Sequence, residues 1–323
     1  MLQKLTYAAL TIALAGSIAS CNKDNNNNNN SSFSNPKLQT LFEGLKSTPQ
    51  IFNITAGRDT TIYGDLNTAL FFYANSFKDG NGSIINSGVV QIELIETPRY
   101  QQMIANRVNT TTQNNERLIS GGAIHIQASI NSATVNANNY GISYYQADDN
   151  TSPMAIYYGY EDAALGGPTV QWYDDTTGTT TGRTKEIGNG TTGFYYTFDS
   201  VANFGWVNCD YFFSDPRPKT NIGVTLPDAT FNDTNTEVMI VFPAINSASF
   251  LNNYLPNSRS YILGHQNYYL PIGETVHIMT IAEKNGKFYS DVQRNVNVIN
   301  NLTVNANLVE VTEAQIQAQV AGL

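Results

Sequence analysis

From Val89 to Glu96 the chain alternates strictly: Val90, Ile92, Leu94 and Glu96 point one way, and Val89, Gln91, Glu93 and Ile95 the other. A two-residue period with one mostly apolar face predicts a strand packed on one side. Ile124, Ile126, Ala128 and Ile130 alternate with His125, Gln127 and Ser129 in the same manner. Residues 237–242 and 276–282 form further strands, rich in β-branched side chains. Turn residues separate these runs. Asp79-Gly80-Asn81-Gly82 stands between 71–77 and 89–95, and Lys284-Asn285-Gly286-Lys287 reads as a tight hairpin. Strands at this spacing predict a mainly β chain made of two β-sandwich-like domains.

Two segments carry the helical period instead. Leu38, Leu41, Phe42 and Leu45 recur at i, i+3, i+4 and i+7, with Pro36 near the start, where its missing N–H costs nothing. Thr312-Glu313-Ala314-Gln315 is a capping-box pattern; Ile316 and Val320 follow as an apolar edge suited to packing on the second domain, and Gly322 ends the helix. Pro216, Pro218 and Gly223 interrupt both patterns and mark a boundary. The expected organisation is therefore a leader over 1–20, a polar tether over 21–35, a β-sandwich domain with an N-terminal helix over 36–216, and a second β domain with a C-terminal helix over 217–323. Each half is long enough to fold on its own.

The leader sets the compartment. Lys4 precedes a short apolar run from Leu5 to Ala15, and Ile18-Ala19-Ser20-Cys21 closes it. The run is too short for a spanning helix. Small residues before a cysteine match a bacterial lipoprotein signal, in which Cys21 is acylated and becomes the mature N-terminus. Each buried acyl methylene contributes about 0.8 kcal/mol, so several chains make a stable anchor. The asparagine tract from Asn25 to Asn30 has nothing to bury and is expected to act as a tether.

Composition narrows the partners. Twenty-six acidic residues against 17 basic ones give a pI near 4.8, which excludes nucleic acid as a partner. With Cys21 lipidated, Cys209 has no intramolecular disulfide partner and no cysteine metal site can form. No cofactor is implied. Of the three histidines, His125 and His277 fall on the polar phase of strands and His265 in a loop, with no ligand spacing among them. Asp79-Gly80-Asn81-Gly82-Ser83 begins like a calcium loop, but Val90 stands where the glutamate belongs, and a hairpin turn explains it better. Asp148-Asp149-Asn150 and Asp174-Asp175 are adjacent carboxylates that point apart on a strand, unlike a glycosidase couple; calcium held by such acidic loops stays open. No Gly-x-Ser-x-Gly elbow occurs, and Cys209 lacks a basic neighbour to activate it. The expectation is a chain without catalytic function.

Aromatic residues alone point to a ligand. Tyr144, Tyr145, Tyr157, Tyr158, Trp172 and Tyr173 are the candidate stacking residues, within a stretch crowded with tyrosines. Exposed rings stack on sugar faces, whereas buried ones form cross-strand pairs that stabilise a sandwich.

A family resemblance adds to this reading. Thr60-Thr61-Ile62-Tyr63-Gly64, the stretch from Leu70 to Phe77, the turn Asp79-Gly80-Asn81-Gly82, and Val89-Val90-Gln91-Ile92-Glu93 resemble a module of Bacteroidetes surface lipoproteins of an uncharacterised family. Thr110-Thr111-Thr112, the stretch Leu118 to Ile126 with Ser120-Gly121-Gly122, and Phe204-Gly205-Trp206-Val207-Asn208-Cys209-Asp210 extend the likeness. The module is similar to the β-sandwich modules of ankyrins and netrin receptors. The pattern departs at Leu70, where isoleucine is favoured, and at Tyr73, where proline is usual. The resemblance implies a lipid-anchored outer-membrane protein, facing the exterior or the periplasm, that acts as an interaction or scaffold module. It supplies no catalytic residues. The alternative is a glycan-binding lipoprotein of a polysaccharide-capture system.

Overall fold

In the computed structural model of the protein, the described residues are 35–112, 116–146, 154–162, 169–174, 183–186, 194–263 and 270–323. The chain is mainly β, with several sheets. In the first half an eight-stranded sheet runs in the order Gln50–Thr55, Val89–Thr97, Leu118–Ile130, Gly205–Phe212, Ala155–Asp162, Thr169–Asp174, Val108–Thr112, with Ala133–Thr134 paired to the end of Leu118–Ile130. A five-stranded sheet runs Arg183–Glu186, Phe194–Val201, Tyr140–Gln146, Ala69–Phe72, Thr60–Tyr63. The alternation read from the sequence decides which faces meet: Val90, Ile92 and Leu94 are buried while Val89 and Gln91 are exposed. Ile92, Leu94, Ile124 and Ile126 of the larger sheet share a core with Leu70, Phe72, Ile142 and Phe198 of the smaller.

Glu96 closes one end of this sandwich. Its buried carboxylate accepts from Gln50 Nε2 (2.8 Å), Leu66 N (2.9 Å) and Thr68 N (3.0 Å), and so holds the turn between the Thr60–Tyr63 and Ala69–Phe72 strands. Gly64 is required there, because a Cβ would lie 2.4 Å from the Glu96 carboxylate.

The second half repeats the architecture with other strands. One sheet runs Ser247–Leu251, Thr236–Phe242, Thr275–Lys284, Lys287–Asn297, Val309–Val311, and the other Tyr254–Leu255, Ser260–Leu263, Ile222–Thr225, Leu302–Asn305. Ile222, Val224, Val238, Ile240, Tyr261 and Ile278 fill the space between them. The expected hairpin is present: Lys284 pairs with Lys287, and Asn285 and Gly286 both take positive φ (54° and 82°), the twist that suits a two-residue connection. Among the described residues no strand ladder joins the two halves. Between them, Arg217 donates to Asp215 and to Glu274, which pins the proline-flanked connection onto the second half.

Helix α1 (Pro36–Leu45) starts on Asn35, whose side chain accepts from the N–H groups of Lys37 and Leu38. A short helix, α2 (Tyr100–Ala105), was not legible in the sequence; it is six residues long and has no side-chain cap. Helix α3 (Glu313–Ala321) has the full capping box, Thr312 to Gln315 in both directions.

These three helices lie where the halves meet. Leu38, Leu41 and Phe42 of α1, Met103 and Ile104 of α2, and Ile316 and Val320 of α3 belong to one apolar cluster. The same cluster takes Tyr157, Trp172 and Trp206 from the first half and Met239, Val241, Phe250 and Ile281 from the second. The apolar edge of α3 is thus buried between both halves, not against the second alone.

Arg107 stands at the centre of this junction. Its guanidinium is almost completely buried, lies 3.3 Å from Glu237 of the second half, and donates to Thr169 Oγ1 (3.0 Å). The Phe42 and Phe250 rings face it at 4.6 and 4.8 Å. Thr110 bonds Ser247 and both donates to and accepts from the Ala248 backbone, and Asn246 donates to the carbonyls of Pro98 and Ser120 while accepting from Tyr100 N.

Removing one partner of a buried ion pair leaves the other charge without compensation, at a cost of about 3–5 kcal/mol. Arg107→Ala is expected to destabilise the chain by about that much in urea unfolding. Pairing Arg107→Met with Glu237→Leu should recover most of it. A single-variant loss below about 1 kcal/mol would mean that Arg107 does not hold the halves together.

Candidate functional site

A cleft among the described residues comes from a mismatch in strand length. Along Leu118–Ile130, the neighbouring Gly205–Phe212 strand begins opposite Ile126, at Gly205. On the same flank the Ala133–Thr134 strand takes over only from Ser129, with Val135 N donating to Ala128 O (3.0 Å). The flank beside Gln127 is left without a strand, and a cleft of about 600 Å³ opens there. Three pieces of chain frame it: the turn at 79–82, the pairing of Phe77–Lys78 with Asn136–Ala137, and residues 202–205.

Each frame has a local cause. Asp79 Oδ1 accepts from Asn81 N and Ser83 N (both 2.9 Å), so its carboxylate holds the turn as the hairpin reading required. Gly82 (φ 84°) and Gly205 (φ 95°) occupy left-handed positions that favour glycine. Tyr140 donates its hydroxyl to Asn203 O (2.8 Å) and fixes the 202–205 segment. Phe204 packs on Tyr140, with ring centroids 5.1 Å apart, and extends the core to the cleft floor.

The floor is apolar: Ile126, Ala128, Val135, Ala137 and Phe204. The rim is polar: Lys78, Gln127, Thr134, Asn136 and Asn203. His125 also lines the cleft; its ring lies 5.1 Å from that of Trp206, and burial lowers its pKa, so it stays neutral near pH 7.

The aromatic residues singled out by sequence do not assemble here. Tyr144 is buried and donates to Val207 O (3.0 Å). Tyr157 is buried with its ring edge-on to Phe212 (5.8 Å), and Trp172 is buried with Nε1 donating to Asn109 O (2.5 Å). These three rings are core: Tyr157 and Trp172 lie on the larger sheet in the cluster at the junction of the halves, and Tyr144, on the smaller sheet, faces the core between the two sheets. Tyr158 is half-buried and its hydroxyl accepts from Ala202 N (3.0 Å). Tyr173 is 41% exposed and stacks on Tyr160 at 4.4 Å. Of Tyr145 only the backbone is described. The cleft residues were missed because the gap depends on the register of Gly205 against Ile126, which no local pattern encodes; the turn at Asp79 and the glycine at 205 were its only traces.

The remaining chemical candidates are sealed. Cys209 is a free, buried thiol whose pKa burial raises well above the usual range, with Asp210 adding to the effect. Asp210 points to the opposite face of its strand and is itself buried; desolvation raises its pKa well above the carboxylate range, opposed by hydrogen bonds from Ser120, Asn208 and Gly121. His277 is not the surface or edge histidine its polar phase suggested. It is buried opposite an irregularity where Asn295 takes φ 55°, and its Nδ1 accepts from Asn295 N (3.0 Å), replacing a bond the ladder loses. Among the described residues no three His, Cys, Asp or Glu side chains group as a metal site requires. Cys21, His265, Asp148, Asp149 and Asp175 lie outside the described residues. No family model and no curated protein matches the chain.

Burial, helped by Arg294, lowers the pKa of His277, while a hydrogen bond with the Val276 backbone opposes the shift. The unfolded chain therefore takes up this proton first as pH falls. The stabilisation is complete above the unfolded value of about 6.5 and is lost as pH falls through the lower folded value. Thermal unfolding between pH 7 and 5 should show a smaller loss of Tm in His277→Gln than in the unaltered chain; equal losses would contradict this assignment.

Proposed function

We propose that the chain is a non-catalytic interaction module held at the outer membrane by lipid on Cys21. The observation that carries the reading is the sequence Ile18-Ala19-Ser20-Cys21 after a short apolar run, followed by a polar tract. The point where the tether joins the fold is in keeping with it. Asn35 Nδ2 donates to Glu283 Oε2 (2.6 Å), and Lys37 Nζ to Gly286 O (3.2 Å), so the chain enters at the tip of one hairpin of the second half. From there α1 carries it about 15 Å toward the first half. Lys46, just past the far end of that helix, acts electrostatically on His125 of the cleft lining.

The absence of catalysis is supported by chemistry. A nucleophile or general base needs an open position and a tuned pKa. The cleft lining contains no serine, cysteine or glutamate to pair with its histidine, His125, which packs on Trp206, and its aspartate is engaged by its own turn. Cys209, Asp210 and His277 are buried away from it.

Cys21→Ser should abolish incorporation of labelled fatty acid and move the full chain from the membrane to the soluble fraction. Membrane association that survives the substitution would refute the anchor.

A further inference from the structure

The cleft has the composition of a site rather than of a packing defect. Its volume, about 600 Å³, falls within the ~300–1,000 Å³ of small-molecule sites. An apolar floor under a polar rim is the arrangement in which a ligand buries one face and is oriented by the other. The rim groups are free to do so: the side chains of Lys78, Gln127, Asn136 and Asn203 make no hydrogen bond or ion pair with other described residues, although the backbones around them are held by strand pairing and by Tyr140.

The chemistry of the rim selects the ligand. Each carboxamide offers two donors and an acceptor with two lone pairs. A hydroxyl is likewise both donor and acceptor, so three amides on one rim suit a ligand with several adjacent hydroxyls. The charges nearly cancel, with Lys78 beside Asp79, and the lining therefore does not call for a strongly ionic ligand. A phosphorylated ligand would meet one lysine and no arginine. A purely apolar one would strand the amides without partners, at a cost of about 1–3 kcal/mol for each buried group. Phe204, the one partly exposed apolar side chain of the floor, offers its ring to the C–H face of a ligand ring, while Val135 and Ala137 are buried beneath.

We propose that this cleft binds a neutral saccharide of one or two rings, its hydroxyls held by Gln127, Asn136 and Asn203 and one ring face on the Phe204 floor. The proposal rests on the reading of the chain as an interaction module and names its ligand class. It also moves the sugar contacts away from the tyrosines of the sequence reading.

The test uses the purified full chain and a panel of neutral mono- and disaccharides (glucose, galactose, mannose, N-acetylglucosamine, and their α- and β-linked dimers). Saturation-transfer NMR detects binding and titration calorimetry gives Kd. At least one sugar should bind. Gln127→Ala, Asn136→Ala and Asn203→Ala should each weaken it about 3- to 10-fold, the equivalent of one hydrogen bond, with unchanged Tm. Lys78→Gln should change Kd by less than about 3-fold, in line with a neutral ligand. Tyr173→Ala, on the separate tyrosine pair, should leave Kd unchanged. No binding by any sugar of the panel overturns the proposal, and so does binding that the amide variants leave intact while Tyr173→Ala removes it. Neither result touches the anchor, which is read separately from fractionation of Cys21→Ser.

Discussion

A guanidinium cannot be left alone in an apolar interior, and Arg107 is placed where that demand governs the whole molecule. It lies at the C-terminal end of α2 in a left-handed conformation (φ 55°), a backbone state that costs a non-glycine residue about 1–3 kcal/mol and persists only where the surroundings fix it. Here they do. Arg107 N donates to Ile104 O, Val170 N donates to Arg107 O, and the side chain reaches Thr169, Glu237, Phe42 and Phe250. One residue thus requires α1, α2, both sheets of the junction and the second half to be in register together. Burial raises the pKa of Glu237 and the adjacent Arg107 opposes the shift, so each charge depends on the other.

Around that pair the junction is built like a domain interior. All five residues of Val108–Thr112 and all five of Ser247–Leu251 are buried, and they face one another without forming a ladder. Their contacts are made by side chains, through Thr110 with Ser247 and Ala248, and by Asn246 reaching back to Pro98 and Ser120. Separating the halves would expose both the apolar cluster and these polar partners. The cleft, in contrast, draws its floor from the other core, between the two sheets of the first half. Its shape is therefore set by strand register within that half, while the junction fixes how the half is presented relative to the tether.

Local pattern was enough for the elements whose surroundings are simple. Strict alternation over 89–96 identified the buried face, and Thr312 with Gln315 identified the start of α3, because in both cases sequence neighbours make the decisive contacts. It failed where distant contacts decide. The segment Val108-Asn109-Thr110-Thr111-Thr112 is polar by composition yet buried throughout, and its central hydroxyl, on Thr110, meets Ser247 and Ala248 some 137 positions away. Tyr144, Tyr157 and Trp172 looked like ligand-stacking rings. Each is instead core, and the hydroxyl or indole N–H bonds of Tyr144 and Trp172 to backbone carbonyls explain how polar-tipped rings are accommodated there. The candidate site was the least legible part. It is the space left between the strand end at Gly205 and the strand end at Thr134, a gap set by long-range register of which the sequence carries only the turn at Asp79 and the glycine at 205.

The central claim is that the two sandwiches unfold as one cooperative unit because they share the cluster around Arg107. Native-state hydrogen exchange on the full chain tests it most directly, by comparing amides of Leu118–Ile130 in the first half with those of Thr236–Phe242 in the second. A shared interior predicts that the slowest amides of both strands open with the same free energy and respond in parallel to added denaturant. Two distinct opening free energies, with one half exchanging while the other stays protected, would contradict it.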